Sequence, residues 1–111
     1  MDCIFCKIVN GEIKSAKVYE DEDVLCIKDI NPQAPVHILI IPKKHIAKLY
    51  QTDEITLLGK MLKIGCDIAE KEGIKESGYR IVINTNRNAG QSVDHIHFHL
   101  LGGRILMWPP G

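Results

Sequence analysis

Three histidines alternate with apolar residues near the end of the chain, in the segment HIHFHLL that begins at His95. Successive side chains of a β-strand point to opposite faces, so this spacing predicts a strand with all three imidazoles on one face and apolar side chains on the other. A helix would instead scatter the three rings around its circumference. We therefore expect a strand over residues 94–101 with a shared polar site on one face.

Three interpretations of this histidine face are open. Chance histidines on a partly buried or exposed strand are the plainest, but three rings in register, with glycines before and after them, weaken that interpretation. Histidine pairs of the form His-x-His are common metal ligands, so a mononuclear zinc hydrolase that uses His95, His97 and His99 is a second possibility. The third is nucleophilic catalysis, because a neutral imidazole has a free lone pair on one nitrogen while its other N–H can be held in place.

The polar loop before the histidines favours phosphate chemistry. Gly90 lets the backbone approach a ligand closely. Backbone N–H groups near Gln91 to Val93, together with the Ser92 hydroxyl, can surround phosphate oxygens, and Asn84 adds an amide donor. Such donors suit the charge on a phosphoryl group in its transition state. Since the sequence has no Walker-type loop and no carboxylate cluster for magnesium, it favours phosphoryl or nucleotidyl transfer through histidine, with no metal required for catalysis.

The remaining pattern predicts an α+β fold. A single domain over residues 1–111 suits the length of the chain. The strands before the long helix follow one another closely, so we expect an antiparallel sheet with that helix on one face. The other predicted elements are a short helix over residues 4–10, strands over residues 17–20, 24–29, 36–41 and 79–85, a loop over residues 86–92, and one long helix between an N-cap at Thr52 and a stop at Gly73.

Charge and hydropathy exclude several classes of partner. The chain has 14 basic and 14 acidic residues, whereas a dedicated nucleic-acid binder usually carries a basic excess, so we expect no nucleic-acid partner. No apolar stretch is long enough to span a bilayer, and the first residues, Met1-Asp2-Cys3, lack the basic start of a signal peptide. We therefore expect a cytoplasmic protein, with no membrane partner and with its four cysteines reduced.

The segment that begins at His95 has the pattern His-x-His-x-His-x-x, with x apolar, and resembles the histidine triad family. The segments APVH, which begins at Ala34, and IPKKH, which ends at His45, resemble the Hint branch, the histidine triad nucleotide-binding proteins, and so does the tail from Gly102 to the final WPPG. The resemblance covers nearly the whole chain. It implies a homodimeric α+β fold with a five-stranded sheet in each subunit. It also implies hydrolysis of purine nucleoside phosphoramidates (AMP or GMP derivatives), including aminoacyl adenylates.

The resemblance also implies roles for individual residues. His97 matches the nucleophile that forms a nucleotidyl-histidine intermediate, and His37 matches a residue that relays or orients its proton. Ser92 matches a residue that can also reach the leaving amine. The residues that match phosphate contacts are His99, Gln91, Ser92 and Asn84.

Further matches concern the nucleoside and the dimer. Asp29 resembles the residue that accepts hydrogen bonds from the ribose hydroxyls. Trp108 resembles a residue that reaches across the dimer toward the partner's active site, and packing in the dimer alone is the alternative. For the apolar positions that match the base pocket, plain core packing is the stronger explanation. These positions are Ile4, Phe5, Ile8, Ile27 and Leu39.

The cysteines suggest a second, structural site. Cys3 and Cys6 have the C-x-x-C spacing of zinc ligands. A closed tetrahedral site needs two more ligands, and His45 and His95 are available once the catalytic histidines are assigned. Bacterial relatives resemble this arrangement, so we predict a structural Zn²⁺ that pins the N-terminal helix to the sheet. The alternative is a pair of reduced cysteines that pack as small hydrophobes.

The match with the family has departures, and it has functional rivals. Asp94 precedes the triad where the animal Hint pattern has an aromatic residue, and the Cys3–Cys6 pair is a feature of bacterial rather than animal relatives. Cys26 and Cys66 are expected to be ordinary buried thiols. Two other functions stay open: a dinucleoside polyphosphate hydrolase or nucleotidyl transferase on the same site, and a nucleotide-binding or sensor module whose catalysis is incidental. The WPPG tail favours the phosphoramidase.

Overall fold

Residues 17–102 contain five strands, which in chain order are β1 (Lys17–Glu20), β2 (Val24–Lys28), β3 (Val36–Pro42), β4 (Tyr79–Ile83) and β5 (Phe98–Gly102). They form one antiparallel sheet in the order β1-β2-β3-β5-β4. The structure is a computed structural model that describes residues 2–111, so Met1 of the expected 1–111 domain lies outside the described residues. The sheet confirms the expected α+β fold with five antiparallel strands.

Within residues 2–111 three helices accompany the sheet: α1 (Ile4–Val9), α2 (Ile55–Lys71) and α3 (Asn86–Ala89), with a 3-10 turn at Leu49–Gln51. Helix α1 is the expected short N-terminal helix and α2 the expected long one. Helix α3 is a single turn within the segment that the sequence predicted as a loop. In the part of the chain that the structure describes, no helix combines the length and the apolar character needed to cross a membrane.

The two faces of the sheet bury two separate clusters, because alternate residues of each strand point to opposite sides. One cluster packs under α2 and includes Ile38, Ile40, Phe98 and Leu100. The other packs under α1 and includes Leu39. Burying a large aliphatic or aromatic side chain contributes about 1.5–3 kcal/mol, so both clusters stabilise the fold. The two helices therefore lie on opposite faces of the sheet.

Gly65 lets α2 approach the sheet closely. A Cβ atom at this position would lie 2.9 Å from Cδ1 of Ile40 and 3.1 Å from Cδ1 of Ile81. The neighbouring α2 residues Met61 and Ile68 are buried in the same contact. A larger residue at position 65 would push the helix away from strands β3 and β4, at a cost typical of overpacking, about 1–3 kcal/mol.

The long helix begins later than the sequence predicted. The expected N-cap was Thr52, with Asp53 and Glu54 in the first turn, but α2 begins at Ile55 and its N-cap residue is Glu54. The Thr52 hydroxyl oxygen instead accepts from the N–H of Glu54 at 3.1 Å. This local turn competes with helix formation, as Ser and Thr side chains commonly do.

The last strand is shorter than the predicted 94–101 and covers Phe98–Gly102. Side chains occupy the carbonyl groups that a longer ladder would use. A ring nitrogen of His95 lies 2.7 Å from the oxygen of Pro42, and a ring nitrogen of His97 lies 2.8 Å from the oxygen of His95. Pro42 also has no N–H to offer a partner strand. The first two histidines of the triad therefore precede β5 rather than lie on it.

Candidate functional site

Strands β3 and β5 bring two histidines together on the face that carries α1. In their pairing, Leu39 lies opposite His99 and His37 lies opposite Leu101. The Nε2 atom of His37 is 2.9 Å from Nδ1 of His99. The His37 ring is buried, and Asp29, just after β2, has Oδ2 at 3.3 Å from the same Nε2 atom.

The partners of His37 define where its proton lies. The backbone N–H of Gln33 donates to Nδ1 of His37 at 3.0 Å. Because a neutral imidazole has one donor and one acceptor nitrogen, Nε2 then carries the proton. That N–H donates to Nδ1 of His99, with the Asp29 carboxylate as a second acceptor. His99 in its neutral form therefore has its own proton on Nε2, so the two rings form a hydrogen-bond chain with one direction.

The ring of His97 is held with the opposite nitrogen free. Its Nδ1 atom lies 2.8 Å from the carbonyl oxygen of His95, and a carbonyl can only accept. Nδ1 therefore carries the proton and Nε2 has the lone pair. Edge-on contacts with Phe5 at 4.9 Å and His99 at 5.0 Å between ring centroids fix the orientation of the ring. This is the geometry that a nucleophilic imidazole needs.

Burial keeps His37 and His99 neutral. It lowers the pKa of His37, and the nearby Asp29 carboxylate acts weakly in the other direction. Burial lowers the pKa of His99 to about 4, with further lowering from His97 and His37. Near pH 7 both rings are therefore uncharged, so each can accept and donate one hydrogen bond.

Asp29, His37 and His99 also offer donor atoms within 4.8 Å of one another, a set that could hold a metal ion. Two histidines and a carboxylate are a known ligand set for transition metals. A neutral histidine that binds a metal through Nε2 must keep a proton on Nδ1. Here the Gln33 N–H points at Nδ1 of His37. The hydrogen bonds therefore favour a proton relay over a metal centre at these three residues.

A second group of donor atoms lies at the N-terminus of α1 and comprises Cys3, Cys6, His45 and His95. Nδ1 of His95 lies 3.4 Å from Sγ of Cys3 and 3.6 Å from Sγ of Cys6. Nδ1 of His45 lies 3.3 Å from Sγ of Cys6 and 3.1 Å from Nδ1 of His95. Tetrahedral zinc with ordinary bond lengths separates sulfur from nitrogen by about 3.6 Å and two nitrogens by about 3.3 Å. The four residues therefore fit a structural zinc ion.

The orientation of His95 supports this fit. Its Nε2 lies 2.7 Å from the main-chain oxygen of Pro42, so Nε2 carries the proton and Nδ1 keeps its lone pair toward the cysteines. The two metal-capable groups of the described residues divide the triad: one contains His95, the other His99, and neither contains His97. This division weighs against a single zinc ion held by all three histidines.

Gln91 braces the loop that was expected to bind phosphate. Its Nε2 donates to the carbonyl oxygens of Ala47 at 2.8 Å and Val93 at 3.0 Å. Its Oε1 accepts from the N–H of Asn86 at 2.9 Å and from Nζ of Lys48 at 3.2 Å. Both ends of the amide are thus engaged within the protein. Direct phosphate contact by this side chain would require some of these bonds to break.

Lys48 is a site residue that sequence reasoning missed. Its ammonium lies 2.7 Å from Oδ1 of Asp94 as well as 3.2 Å from Oε1 of Gln91. It therefore ties the chain after β3 to both ends of the loop that contains Ser92, which is exposed. No signal in the sequence pairs Lys48 with Asp94, which lies 46 positions away.

Gly90 and Asn84 lie at the end of α3 and just after β4. Gly90 ends α3 with a φ of 81°, a left-handed conformation that glycine adopts readily. Asn84 follows β4 and borders a groove of about 640 Å³ between β4, α3 and the C-terminal tail. The exposed ring of Trp108 belongs to the same tail and lies 5.8 Å from the guanidinium carbon of Arg80.

The apolar residues assigned to the base divide into two groups. Four of them are buried in the cluster under α1, so packing alone accounts for them, and they are Phe5, Ile8, Ile27 and Leu39. Ile4 is 47% exposed and lines a cavity with Cys3, Ser92 and Val93. Packing in the core therefore does not account for an isoleucine at position 4.

Comparison with known proteins gives consistent matches. A family model described as HIT domain matches residues 10–106. A protein of Escherichia coli named purine nucleoside phosphoramidase is 50% identical over 107 residues, which cover 95% of this chain and 90% of that protein. A 14 kDa zinc-binding protein of Zea mays is 54% identical, covering 97% of this chain and 87% of that protein. A crystal structure of a HIT family hydrolase from Legionella pneumophila is 51% identical with a TM-score of 0.97, covering 99% of this chain and 100% of that chain.

Proposed function

This chain belongs to the HIT family, and from that premise we propose that it hydrolyses purine nucleoside phosphoramidates, aminoacyl adenylates included, through a covalent nucleotidyl-histidine intermediate. The observation that carries the proposal is the hydrogen bond from Nδ1 of His97 to the His95 carbonyl, which leaves the Nε2 lone pair free. The similar protein of Escherichia coli is named purine nucleoside phosphoramidase.

In the first step, Nε2 of His97 attacks the α-phosphorus. A nitrogen–phosphorus bond forms to His97, and the bond from phosphorus to the leaving group breaks. A leaving amine takes a proton that solvent supplies through the Ser92 hydroxyl, whereas an aminoacyl adenylate releases a carboxylate, which needs none. The positive charge that develops on the His97 ring is stabilised by the His95 carbonyl 2.8 Å from Nδ1. Ser92, exposed beside the triad, is the group that we place near the leaving amine.

In the second step, water attacks the same phosphorus and the bond to His97 breaks. The water supplies a hydroxyl group to phosphorus and releases its second proton to solvent, which makes up for the proton that a leaving amine took, so the protein returns to its starting state. Dividing one displacement into two in this way lowers the barrier of each. His99 donates through Nε2–H to a phosphate oxygen, and His37 acts through His99, since its Nε2–H is directed at His99 Nδ1.

We also propose a structural zinc ion held by Cys3, Cys6, His45 and His95. When bound, it would act as a cross-link between α1 and the segment before β5, and it takes no part in the reaction. Cys3 is the N-cap residue of α1, and its Sγ accepts a hydrogen bond from the N–H of Cys6 at 3.4 Å. The ion would therefore be bound directly at the N-terminus of the helix. The similar protein of Zea mays is named for zinc binding.

The remaining assignments are proposals that rest on the family. The protein would act as a homodimer in which Trp108 approaches the partner's site, and its exposed ring suits such a contact. Asp29 would accept hydrogen bonds from the ribose hydroxyls. Asn84 and the backbone near Gly90 would contact the phosphate. The proposed compartment is the cytoplasm, where the thiols of the zinc site stay reduced.

Parallel rate measurements test this function. We expect rapid release of the nucleoside monophosphate from an adenosine phosphoramidate and much slower cleavage of a diadenosine polyphosphate, both unchanged by a brief treatment with chelator. A faster reaction with the polyphosphate would make the chain a dinucleoside polyphosphate hydrolase. Nucleotide binding without turnover of either compound would make it a binding module.

A further inference from the structure

Hydrogen bonds between its own residues hold the connection between β2 and β3 in place. Oδ1 of Asp29 accepts from the N–H of Asn31 at 2.8 Å, and Nε2 of Gln33 donates to the carbonyl of Asn31 at 3.0 Å. The N–H of Gln33 then donates to Nδ1 of His37 at 3.0 Å. This backbone bond is the one that keeps the His37 proton on Nε2.

The C-terminal tail holds the same connection from outside. Nε of Arg104 donates to the carbonyl oxygen of Gln33 at 3.0 Å. The preceding residue, Gly103, has a φ of +91°, and a Cβ atom there would lie 2.9 Å from Cβ of Pro35. The tail is therefore in close contact with the connection. Gln33 is bound at both of its main-chain polar groups, the N–H by His37 and the C=O by Arg104.

We propose that Arg104 is a positioning residue, which holds the Gln33 backbone so that its N–H selects the Nε2-protonated tautomer of His37. The catalytic part of this inference rests on the proposed function. Arg104 is exposed and touches none of the reacting groups. Its effect passes through one carbonyl group and one N–H to the ring.

The tautomer of His37 decides what His99 can offer a substrate. With the proton on Nε2, His37 donates to His99, and His99 presents an N–H to the phosphate. With the proton on Nδ1, an unprotonated Nε2 would face the Asp29 carboxylate at 3.3 Å and His99 Nδ1 at 2.9 Å. His99 would then have to protonate Nδ1 and turn a lone pair toward an anionic phosphate, which is repulsive.

Two pairs of variants test the assignment in the protein without substrate. Arg104→Met removes the donor to Gln33, and Arg87→Met, on the exposed surface of α3, is its matched control. Gln33→Pro deletes the N–H, and Gln33→Ala keeps it. The readout is the ¹⁵N chemical shift of each ring nitrogen of His37, which distinguishes the two neutral tautomers at a pH where the ring is uncharged.

We expect Nε2 protonation in the wild-type protein, in Arg87→Met and in Gln33→Ala. In Arg104→Met and Gln33→Pro we expect the two His37 shifts to move toward each other as the other tautomer becomes populated. Arg104→Lys, which can still donate to the carbonyl, is expected to restore most of the wild-type pattern. Wild-type shifts in Arg104→Met would overturn the inference, and this variant decides alone if Gln33→Pro does not fold.

Kinetics connect the tautomer to the reaction. We expect Arg104→Met to lower kcat with an adenosine phosphoramidate by about tenfold, with little change in KM. This is less than the roughly 10²–10⁴-fold contribution of a general acid or base itself, because Arg104 acts only by shifting the tautomer of His37. If the wild-type protein does not cleave the phosphoramidate but the shifts respond as expected, the proposed function fails and the positioning role stands. A tautomer change with unchanged kcat would overturn the catalytic part of the inference.

Discussion

Nδ1 of His97 lies 2.8 Å from the main-chain oxygen of His95. His95 thus has two separate contacts in the site. Its ring faces the Sγ atoms of Cys3 and Cys6, and its main-chain carbonyl orients the ring of His97. His95 therefore connects the N-terminal segment with the orientation of the His97 ring.

Replacing His97 by Asn is expected to abolish turnover and to leave nucleotide binding within a few-fold of the wild-type affinity. Asparagine can keep a hydrogen bond to the His95 carbonyl but has no nucleophilic nitrogen. Steady-state rates and a titration of AMP by calorimetry measure the two properties. Turnover at a wild-type rate in His97→Asn would contradict the role of the ring.

Removing the proposed zinc ion is expected to destabilise the protein. A ligand that binds only the folded state at about 100 times its Kd adds about 2.7 kcal/mol, so chelation should lower Tm clearly. Cys6→Ser should show the low Tm without chelator and should bind no stoichiometric zinc by metal analysis. Cys66→Ser, in α2 and remote from the site, is the control and should retain the metal. Equal Tm values with and without chelator would argue against a structural ion.

The loop before the triad is expected to depend on Lys48 and Gln91 together. Gln91→Ala leaves the Ala47 and Val93 carbonyls without their donor, so we expect the free energy of unfolding to fall by about 1–3 kcal/mol, with a reduced kcat. Lys48→Met should lower the free energy of unfolding by a smaller amount. The double variant should lose less unfolding free energy than the two single variants together, because the two side chains share a hydrogen bond.

Denaturant titrations measure these energies. A direct phosphate role for Gln91 predicts a different result: a raised KM and unchanged stability in Gln91→Ala. The stability measurement therefore distinguishes a structural role of the Gln91 side chain from a direct contact with phosphate.

Stability is expected to fall as the pH is lowered from about 6.5 toward 4. The pKa of His99 is about 4 in the folded protein against an ordinary value of 6.5, so in this window the unfolded chain binds a proton that the folded chain does not. Each pH unit then costs up to about 1.4 kcal/mol of unfolding free energy. The lowered pKa of His37 acts in the same direction. His99→Gln should have a shallower dependence on pH across this range, and an identical slope in both proteins would contradict the assignment.

The alternation of the three histidines predicted a strand in the right part of the chain, and helical spacing predicted α2 to within a few residues. The start of β5 could not be predicted, because His95 and His97 place their own ring nitrogens on carbonyl groups that the strand ladder would use. The His95 bond depends on the position of Pro42, more than fifty residues earlier in the chain.

The cysteine spacing predicted Cys3 and Cys6 as zinc ligands, and the resemblance together with elimination predicted His45 and His95. The fold brings the four residues together. The backbone contacts of Gln33 and Arg104 leave no comparable sign, since a main-chain N–H or C=O is present at nearly every position. Gln91 was expected at the phosphate because its position matches the family. Only the fold shows that its amide is engaged with Ala47 and Val93.

Rapid mixing with an adenosine phosphoramidate, followed by mass spectrometry of the intact protein, tests covalent catalysis most directly. We expect a transient mass increase of one nucleoside monophosphate in the wild-type protein and none in His97→Ala. Digestion of the trapped adduct should locate the added group on His97. An adduct of equal size in His97→Ala, or one located on another residue, would contradict the central claim that His97 is the nucleophile.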